Sequence, residues 1–116
     1  MIGIYTANLV AGAEVEAFDD VRLSKLKLIK ANSQISMGIL ATDVDITAEI
    51  FAGSELVAPT QPVSSSLAGA GQVPKIPDDI QYTFFALPLD ELSCVLRNTN
   101  ASTARDVSLI VSIDPV

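Results

Sequence analysis

The amino-acid sequence predicts an all-β protein, a two-sheet antiparallel sandwich of the jelly-roll kind. Apolar and polar residues alternate along most of the chain, a period typical of half-buried strands. No segment carries the i, i+3, i+4, i+7 apolar spacing of a helix. Eight or nine short strands and one long connection in 116 residues suit a jelly roll. An antibody-type sandwich is excluded, because the chain has no tryptophan and only one cysteine.

The alternating runs place the strands along a single domain of residues 1–116. Residues 21–28 alternate less regularly, so a bulge near Ser24 and Lys25 is needed to make them a strand. The other predicted strands cover 2–10, 13–18, 34–41, 44–50, 80–86, 92–97 and 107–113, with a short one at 56–58. The inward positions predict a core that includes Ile35, Met37, Ile39, Ile46, Ile50, Tyr82, Phe84, Leu96, Leu109, Val111 and Ile113.

Several residues that alternate with the core are also large and apolar. They are Leu40, Phe51, Phe85, Leu87 and Ile110. A two-sheet sandwich turns these side chains outward, where they predict contacts between subunits. Residues 59–79 are rich in Pro, Ser, Gly and Ala and lack strand periodicity. Such a long loop is either a flexible connection or an arm that lies on a neighbouring subunit.

The charge distribution narrows the class of partner. The net charge of −7 argues against general nucleic-acid binding, which depends on neutralising phosphates. The basic strip of Arg22, Lys25, Lys27 and Lys30 is a local exception, and is either a solvated strand or a docking strip for an acidic neighbour. No signal peptide and no apolar run of about 20 residues is visible, so we expect a chain made in the host cytoplasm without membrane insertion.

The residue types predict that the chain is not an enzyme. With no histidine, Ser-His-Asp and Cys-His catalysis and most transition-metal sites are excluded. Cys94 lies in an alternating run between Leu92 and Leu96, which predicts a buried small hydrophobe and not a nucleophile. Gly69-Ala70-Gly71 lacks the context of a phosphate loop. We therefore expect no catalytic residue, no cofactor and no small-molecule substrate.

Two further polar motifs leave alternatives open. Asp43 and Asp45 would share a strand face, where with loop oxygens they could hold calcium or simply be strand-edge polarity. Asn100-Ala101-Ser102 has the form of a glycosylation sequon. Without a secretory signal it is interpreted as a turn.

The order of segments in the chain resembles small jelly-roll or β-sandwich virion proteins of bacteriophages and related viruses. The resemblance is carried by 85–89, the Leu92–Thr99 strand, the last strand 106–115, and 46–57 followed by the Pro- and Ser-rich loop. It implies a capsid or capsid-associated subunit of a virion that binds copies of itself and other virion proteins. No functional residue is carried over by the resemblance.

Two other classes of function compete with this hypothesis. One is a ligand-binding sandwich, such as a carbohydrate-binding or fibre-tip module. Sugars stack on exposed aromatic rings, and the chain has only two Tyr, four Phe and no Trp. The other is a small adaptor or pilus-like subunit, although pilins normally carry an export signal. Large discrete assemblies would favour the virion subunit, and a glycan-binding monomer would favour the module.

Overall fold

The computed structural model describes residues 1–67 and 72–116 and confirms the predicted all-β, two-sheet antiparallel sandwich. The strands within the described residues are β1 (Ile2–Leu9), β2 (Glu14–Glu16), β3 (Ser33–Ala41), β4 (Ile46–Ala52), β5 (Glu55–Pro62), β6 (Tyr82–Ala86), β7 (Leu92–Asn98) and β8 (Arg105–Pro115). The Gly69-Ala70-Gly71 motif lies outside the described residues.

The strands pair in a nested order. The first sheet has the order β1-β8-β3-β6 and the second has the order β2-β7-β4-β5, with every pairing antiparallel. Within these sheets β1 pairs with β8, β2 with β7, β3 with β6 and β4 with β5. Consecutive strands therefore often lie in different sheets, and the links between them gather at the two ends of the sandwich.

The core lies between the two sheets, where the inward-facing residues of both interdigitate. All the predicted core residues are buried except Tyr82 and Phe84. These two rings are half-buried and pack against the core from β6, which is an edge strand with a neighbour on one side only. Period-two alternation thus identified the correct face of each strand, and the edge position explains the partial exposure.

The strand predicted over residues 21–28 is wrong. Residues 17–32 instead form two short 3₁₀ helices, Ala17–Asp19 and Ser24–Leu26, joined by turns. The carboxylate of Glu16 caps the first of them by accepting a hydrogen bond from the Phe18 N–H at 3.0 Å. Most of the apolar side chains of this segment pack into one end of the sandwich, where Phe18, Leu23, Leu26 and Ile29 are buried, whereas Val21 and Leu28 remain exposed. An end cap does not need period-two alternation, so no bulge is required.

Of the loop predicted over 59–79, the described residues 59–67 and 72–79 contact their own domain and do not extend from it as an arm. Its first residues belong to β5, which runs to Pro62. We call residues 63–67 and 72–81 the covering segment, because they pair with the free part of the β3 edge and pass against the outer face of the first sheet. Ser64 forms a parallel bridge with Leu40, and the Leu67 N–H donates to the Ala41 carbonyl at 3.1 Å. Farther on, the Ser108 hydroxyl donates to the Gln72 carbonyl.

The prediction that Leu40 and Ile110 face outward onto other subunits is also wrong. Both are buried, at 6% and 7% exposure, because the covering segment crosses the face on which they lie. Gly38, which pairs with Ile110, shows how close this approach is. A Cβ at Gly38 would lie 2.5 Å from the Asp79 carbonyl oxygen, so only glycine fits there. The covering segment therefore buries an apolar face of the first sheet that the sequence pattern assigned to a contact between subunits.

Candidate assembly surface

The two ends of the sandwich have different chemistry. At the end that we call the apolar end, the connections 17–32, 53–54 and 87–91 lie together with residues 1 and 116. The Gly53 N–H donates to the Glu91 carbonyl at 2.8 Å, and the Ile29 N–H donates to the Asp90 carbonyl at 2.9 Å. At the opposite end, the polar end, the connections 10–13, 42–45 and 99–104 are joined by hydrogen bonds of their own.

Large exposed apolar side chains are concentrated at the apolar end. They are Met1, Leu28, Phe85, Leu87, Leu89 and Val116. Phe85 is 70% exposed and Leu87 is 63% exposed, which confirms that these two predicted residues face outward. Phe51, the remaining predicted contact residue, is half-buried on the outer face of the second sheet. The segments that carry these residues are joined by backbone hydrogen bonds, including Leu89 N–H to Ile29 O at 2.7 Å and Val116 N–H to Asn32 O at 2.9 Å.

Leu89 has an unusual backbone conformation. Residues 87–90 form a β-turn in which the Asp90 N–H donates to the Leu87 carbonyl at 3.1 Å. Pro88 precedes Leu89, whose φ of +74° lies in the left-handed region that the third residue of a type II turn requires. Glycine normally fills this position, since a side chain there costs about 1–2 kcal/mol. Leu89 nevertheless has a large side chain there, and 80% of it is exposed to solvent.

A groove of about 420 Å³ opens at the same end. Its lining is mostly apolar and comes from Met1, Leu26, Leu28, Ile29, Ile113 and Pro115, with Ala31, Ser33, Lys25 and Lys30 completing the wall. Within the described part of the chain, neither lysine forms an ion pair. The groove thus combines an apolar floor with two cationic side chains, so it suits an apolar segment that carries acidic residues.

The basic strip is divided by the fold. Lys25 and Lys30 line the groove, whereas the other two cations pair with neighbouring aspartates. Arg22 contacts Asp20 at 2.8 Å, and Lys27 contacts Asp19 at 2.6 Å. Hydrogen bonding to Arg22 lowers the pKa of Asp20, and hydrogen bonding to Asp19 raises the pKa of Lys27. Only half of the strip therefore remains available to an acidic neighbour.

The polar end is organised around a buried asparagine. Asn98 has no exposed surface, and its side-chain amide donates to the carbonyls of Leu9 at 3.0 Å and Thr103 at 2.9 Å. Its side-chain oxygen accepts a hydrogen bond from the Asn100 N–H at 3.0 Å. This one side chain therefore joins two connections to β7. Asn98 lies one residue beyond the strand predicted over 92–97 and continues the inward series of Leu92, Cys94 and Leu96.

Asp43 and Asp45 lie in the connection between β3 and β4 and interact with Arg105. The guanidinium is 3.4 Å from the Asp43 carboxylate and 2.9 Å from the Asp45 carboxylate. Asp45 also accepts a hydrogen bond from the Asn100 side chain at 3.0 Å, and this bond together with that from Arg105 lowers its pKa. Among residues 1–67 and 72–116, no three His, Cys, Asp or Glu side chains converge as metal ligands. The two aspartates act as partners for an arginine and an asparagine.

Asn100 and Cys94 both have structural environments. The Asn100 side-chain oxygen accepts hydrogen bonds from the N–H groups of Ser102 and Thr103, both at 2.8 Å, so the predicted turn is confirmed. Cys94 is fully buried in β7, as predicted. Burial, and to a smaller extent the nearby Glu16 carboxylate, raises the pKa of the Cys94 thiol. A protonated, inaccessible thiol is a poor nucleophile.

No protein-family model matches the chain, and no curated protein matches it. Across the described residues, the structure contains no helix of the length and apolar character needed to cross a bilayer.

Proposed function

We propose that the chain is a structural virion subunit, a capsid or capsid-associated protein with a jelly-roll fold, that self-assembles through apolar contacts. The nested pairing of β1 with β8, β2 with β7, β3 with β6 and β4 with β5 supports the jelly-roll assignment, because that fold is built from eight strands in two facing sheets. The self-assembly and the virion location are carried by the surface chemistry and by the resemblance of the segment order.

The observation that carries the proposal is Leu89. A protein that worked as an isolated monomer would gain stability from glycine at this position and would lose an exposed leucine at the same time. Strained residues that present a side chain are characteristic of functional surfaces. Leu87 and Phe85 continue the exposed apolar surface beside it. We therefore assign the 85–89 surface, with the neighbouring groove, to a contact with another subunit.

The energetics of such a contact are favourable. Burial of apolar surface contributes about 25 cal/mol per Å². A stable protein interface buries about 1,200 Å² or more in total. The apolar end offers several large side chains and the 420 Å³ groove to such an interface. Identical contacts repeated around a closed symmetry give rings or shells.

The proposal is tested by the size of the purified protein. We expect analytical ultracentrifugation and negative-stain electron microscopy to show discrete closed assemblies, and the fraction of chains in these assemblies should increase with protein concentration. The double variant Leu87→Ser, Leu89→Ser should remain folded but lose these assemblies, because both side chains are exposed in the isolated chain. A strictly monomeric parent protein at high concentration and near-neutral pH would contradict the proposal.

The polar end provides the matched control. Val10 and Val44 are 64% and 65% exposed, so they resemble the leucines in exposure but lie at the opposite end. The Val10→Ser, Val44→Ser variant should assemble like the parent protein. Equal loss of assembly in both double variants would point to general surface stickiness and not to a contact at the apolar end.

A further inference from the structure

The first sheet has an open edge along β1, and its hydrogen-bonding groups can be assigned. Met1 and Ile113 exchange two backbone hydrogen bonds, Met1 N to Ile113 O at 2.9 Å and Ile113 N to Met1 O at 2.8 Å. Antiparallel pairs alternate between hydrogen-bonded and non-hydrogen-bonded positions. The next hydrogen-bonded positions toward β8 are therefore Gly3, Tyr5, Ala7 and Leu9. The backbone groups of Ile2, Ile4, Thr6 and Asn8 point away from β8 toward the free edge.

These edge groups have no partner inside the described part of the chain. None of the backbone N–H or C=O groups of Ile2, Ile4, Thr6 and Asn8 takes part in a hydrogen bond with another described residue. Ile2 and Ile4 are also 62% and 42% exposed. The edge thus presents a row of alternating donors and acceptors beside exposed apolar side chains, which is a template for another strand.

The other three edges are less suited to pairing. β2 has three residues, two of which are glutamates. β5 contains Pro59, which has no N–H to donate, and begins at the charged Glu55. β6 has five residues. By contrast, β1 has eight residues with no proline and no charged side chain.

We infer that β1 pairs antiparallel with β1 of a second copy and joins two first sheets into one continuous sheet. This inference rests on the proposed self-assembly and deepens it by naming one contact and its partner. A second copy fits because antiparallel pairing of identical strands obeys a two-fold axis, so that every donor meets an acceptor. It also fits the charge, since in a chain of net charge −7 β1 itself carries no charged side chain, and the Asp20 carboxylate near this edge is paired with Arg22.

The Arg22 side chain lies beside the middle of this edge. Its guanidinium lies 4.8 Å from the centroid of the Tyr5 ring and donates to the Thr6 hydroxyl at 3.2 Å. Neighbouring residues of a strand point to opposite faces, so a group that contacts both must lie beside the strand. A charge at an edge is a known protection against pairing. Full pairing of β1 therefore requires Arg22 to swing away from Thr6, which weakens the dimer without blocking it, because a single exposed hydrogen bond contributes little to stability.

Ile4→Lys and Arg22→Ala, which have opposite expected effects on dimerisation, test the inference in the full chain, and Leu56→Lys is their control. Ile4→Lys places a charge on the open edge and should raise the dimer dissociation constant roughly tenfold or more, as measured by analytical ultracentrifugation. Leu56→Lys, at a 47% exposed position on the β5 edge, should leave it unchanged. Arg22→Ala should lower the dissociation constant by roughly threefold or more. Thermal melting establishes that each variant is folded.

Amide hydrogen exchange gives a direct readout with an internal control. At low concentration the amides of Ile4, Thr6 and Asn8 should exchange fast, while those of Gly3, Tyr5 and Ala7, bonded to β8, exchange slowly. At high concentration the first set should become protected as well. An Ile4→Lys protein with the parent dissociation constant, weaker association in Arg22→Ala, or edge amides that stay unprotected in the dimer would each overturn the inference.

These outcomes separate the edge contact from the proposed function. If Leu87→Ser, Leu89→Ser abolishes assembly and Ile4→Lys does not, the edge pairing is wrong and the virion-subunit proposal stands. If Ile4→Lys dissolves a dimer that never grows into larger assemblies, the edge pairing stands and the proposed function fails.

Discussion

The polar end and the apolar end of the sandwich satisfy their side chains in different ways. At the polar end, Asn98, Asp45 and Arg105 find their partners inside the chain, through a closed set of hydrogen bonds and ion pairs. At the apolar end, Leu87 and Leu89 of the 87–90 turn remain exposed to solvent, and Leu89 adopts a strained backbone conformation. The polar groups at one end thus have partners within the chain, whereas the large apolar side chains at the other end remain exposed and available to another subunit.

The largest difference in stability between the two ends is expected from removing the Asn98 side-chain amide. We expect Asn98→Ala to lower the free energy of unfolding by about 3 kcal/mol, because the buried Leu9 carbonyl loses the hydrogen bond that the Asn98 side chain donates and the Asn100 N–H loses its acceptor. Phe85→Ala at the other end should change the same quantity by less than about 0.5 kcal/mol, since the ring is exposed. Chemical denaturation measures both. A larger loss for Phe85→Ala would reverse our assignment of the two ends.

A substitution at the apolar end should have a smaller effect of opposite sign and stabilise the chain. Leu89→Gly relieves the left-handed backbone at φ +74° and should stabilise the isolated chain by about 0.5–1 kcal/mol, after the entropy of glycine in the unfolded chain is subtracted. The same variant should weaken assembly. Leu87→Gly, in the same turn, makes no such gain and should be slightly destabilising. If Leu89→Gly lowers the melting temperature, the turn is not strained in the way described.

The smallest effect concerns the pH dependence of the polar end. Because the pKa of Asp45 is lowered in the folded state, its contribution to stability is present above the ordinary carboxyl pKa of about 3.9 and is lost as the pH falls through the lowered value. The gap in stability between the parent and Asp45→Asn should therefore narrow in acid. Asp78→Asn, which removes no ion pair between described residues, is the control. A gap that widens in acid would contradict the assigned direction.

The sequence pattern predicted the sheets better than it predicted what covers them. Alternation depends only on which face of a strand is buried, so Ile35, Leu109 and Val111 were assigned correctly. Leu40 and Ile110 obey the same alternation, but a segment about thirty residues away along the chain covers them, and alternation holds no information about such a contact. The prediction of a strand over 21–28 failed for a related reason. The buried residues of segment 17–32 pack against one end of the sandwich, so they do not alternate along a strand.

The exposed residues of the apolar end were likewise predicted only in part. Phe85 and Leu87 were predicted to be exposed from alternation alone, and they are. The left-handed Leu89 could have been suspected from the order Leu-Pro-Leu-Asp, because proline at the second position of a turn leaves the third position to a type II or type I geometry. Choosing between those geometries needs the hydrogen bond from Leu89 to Ile29, which is a tertiary contact.

The single thiol, Cys94, makes this chain a convenient reporter of its own motions. It lies fully buried on β7, between β2 and β4, so a water-soluble thiol reagent reaches it only when the second sheet separates from its neighbours. Loosening of the 87–90 turn or of the covering segment leaves that barrier in place. The labelling rate of Cys94 therefore measures opening of the core, while exchange of surface amides measures local fraying, and one preparation of unmodified protein yields both.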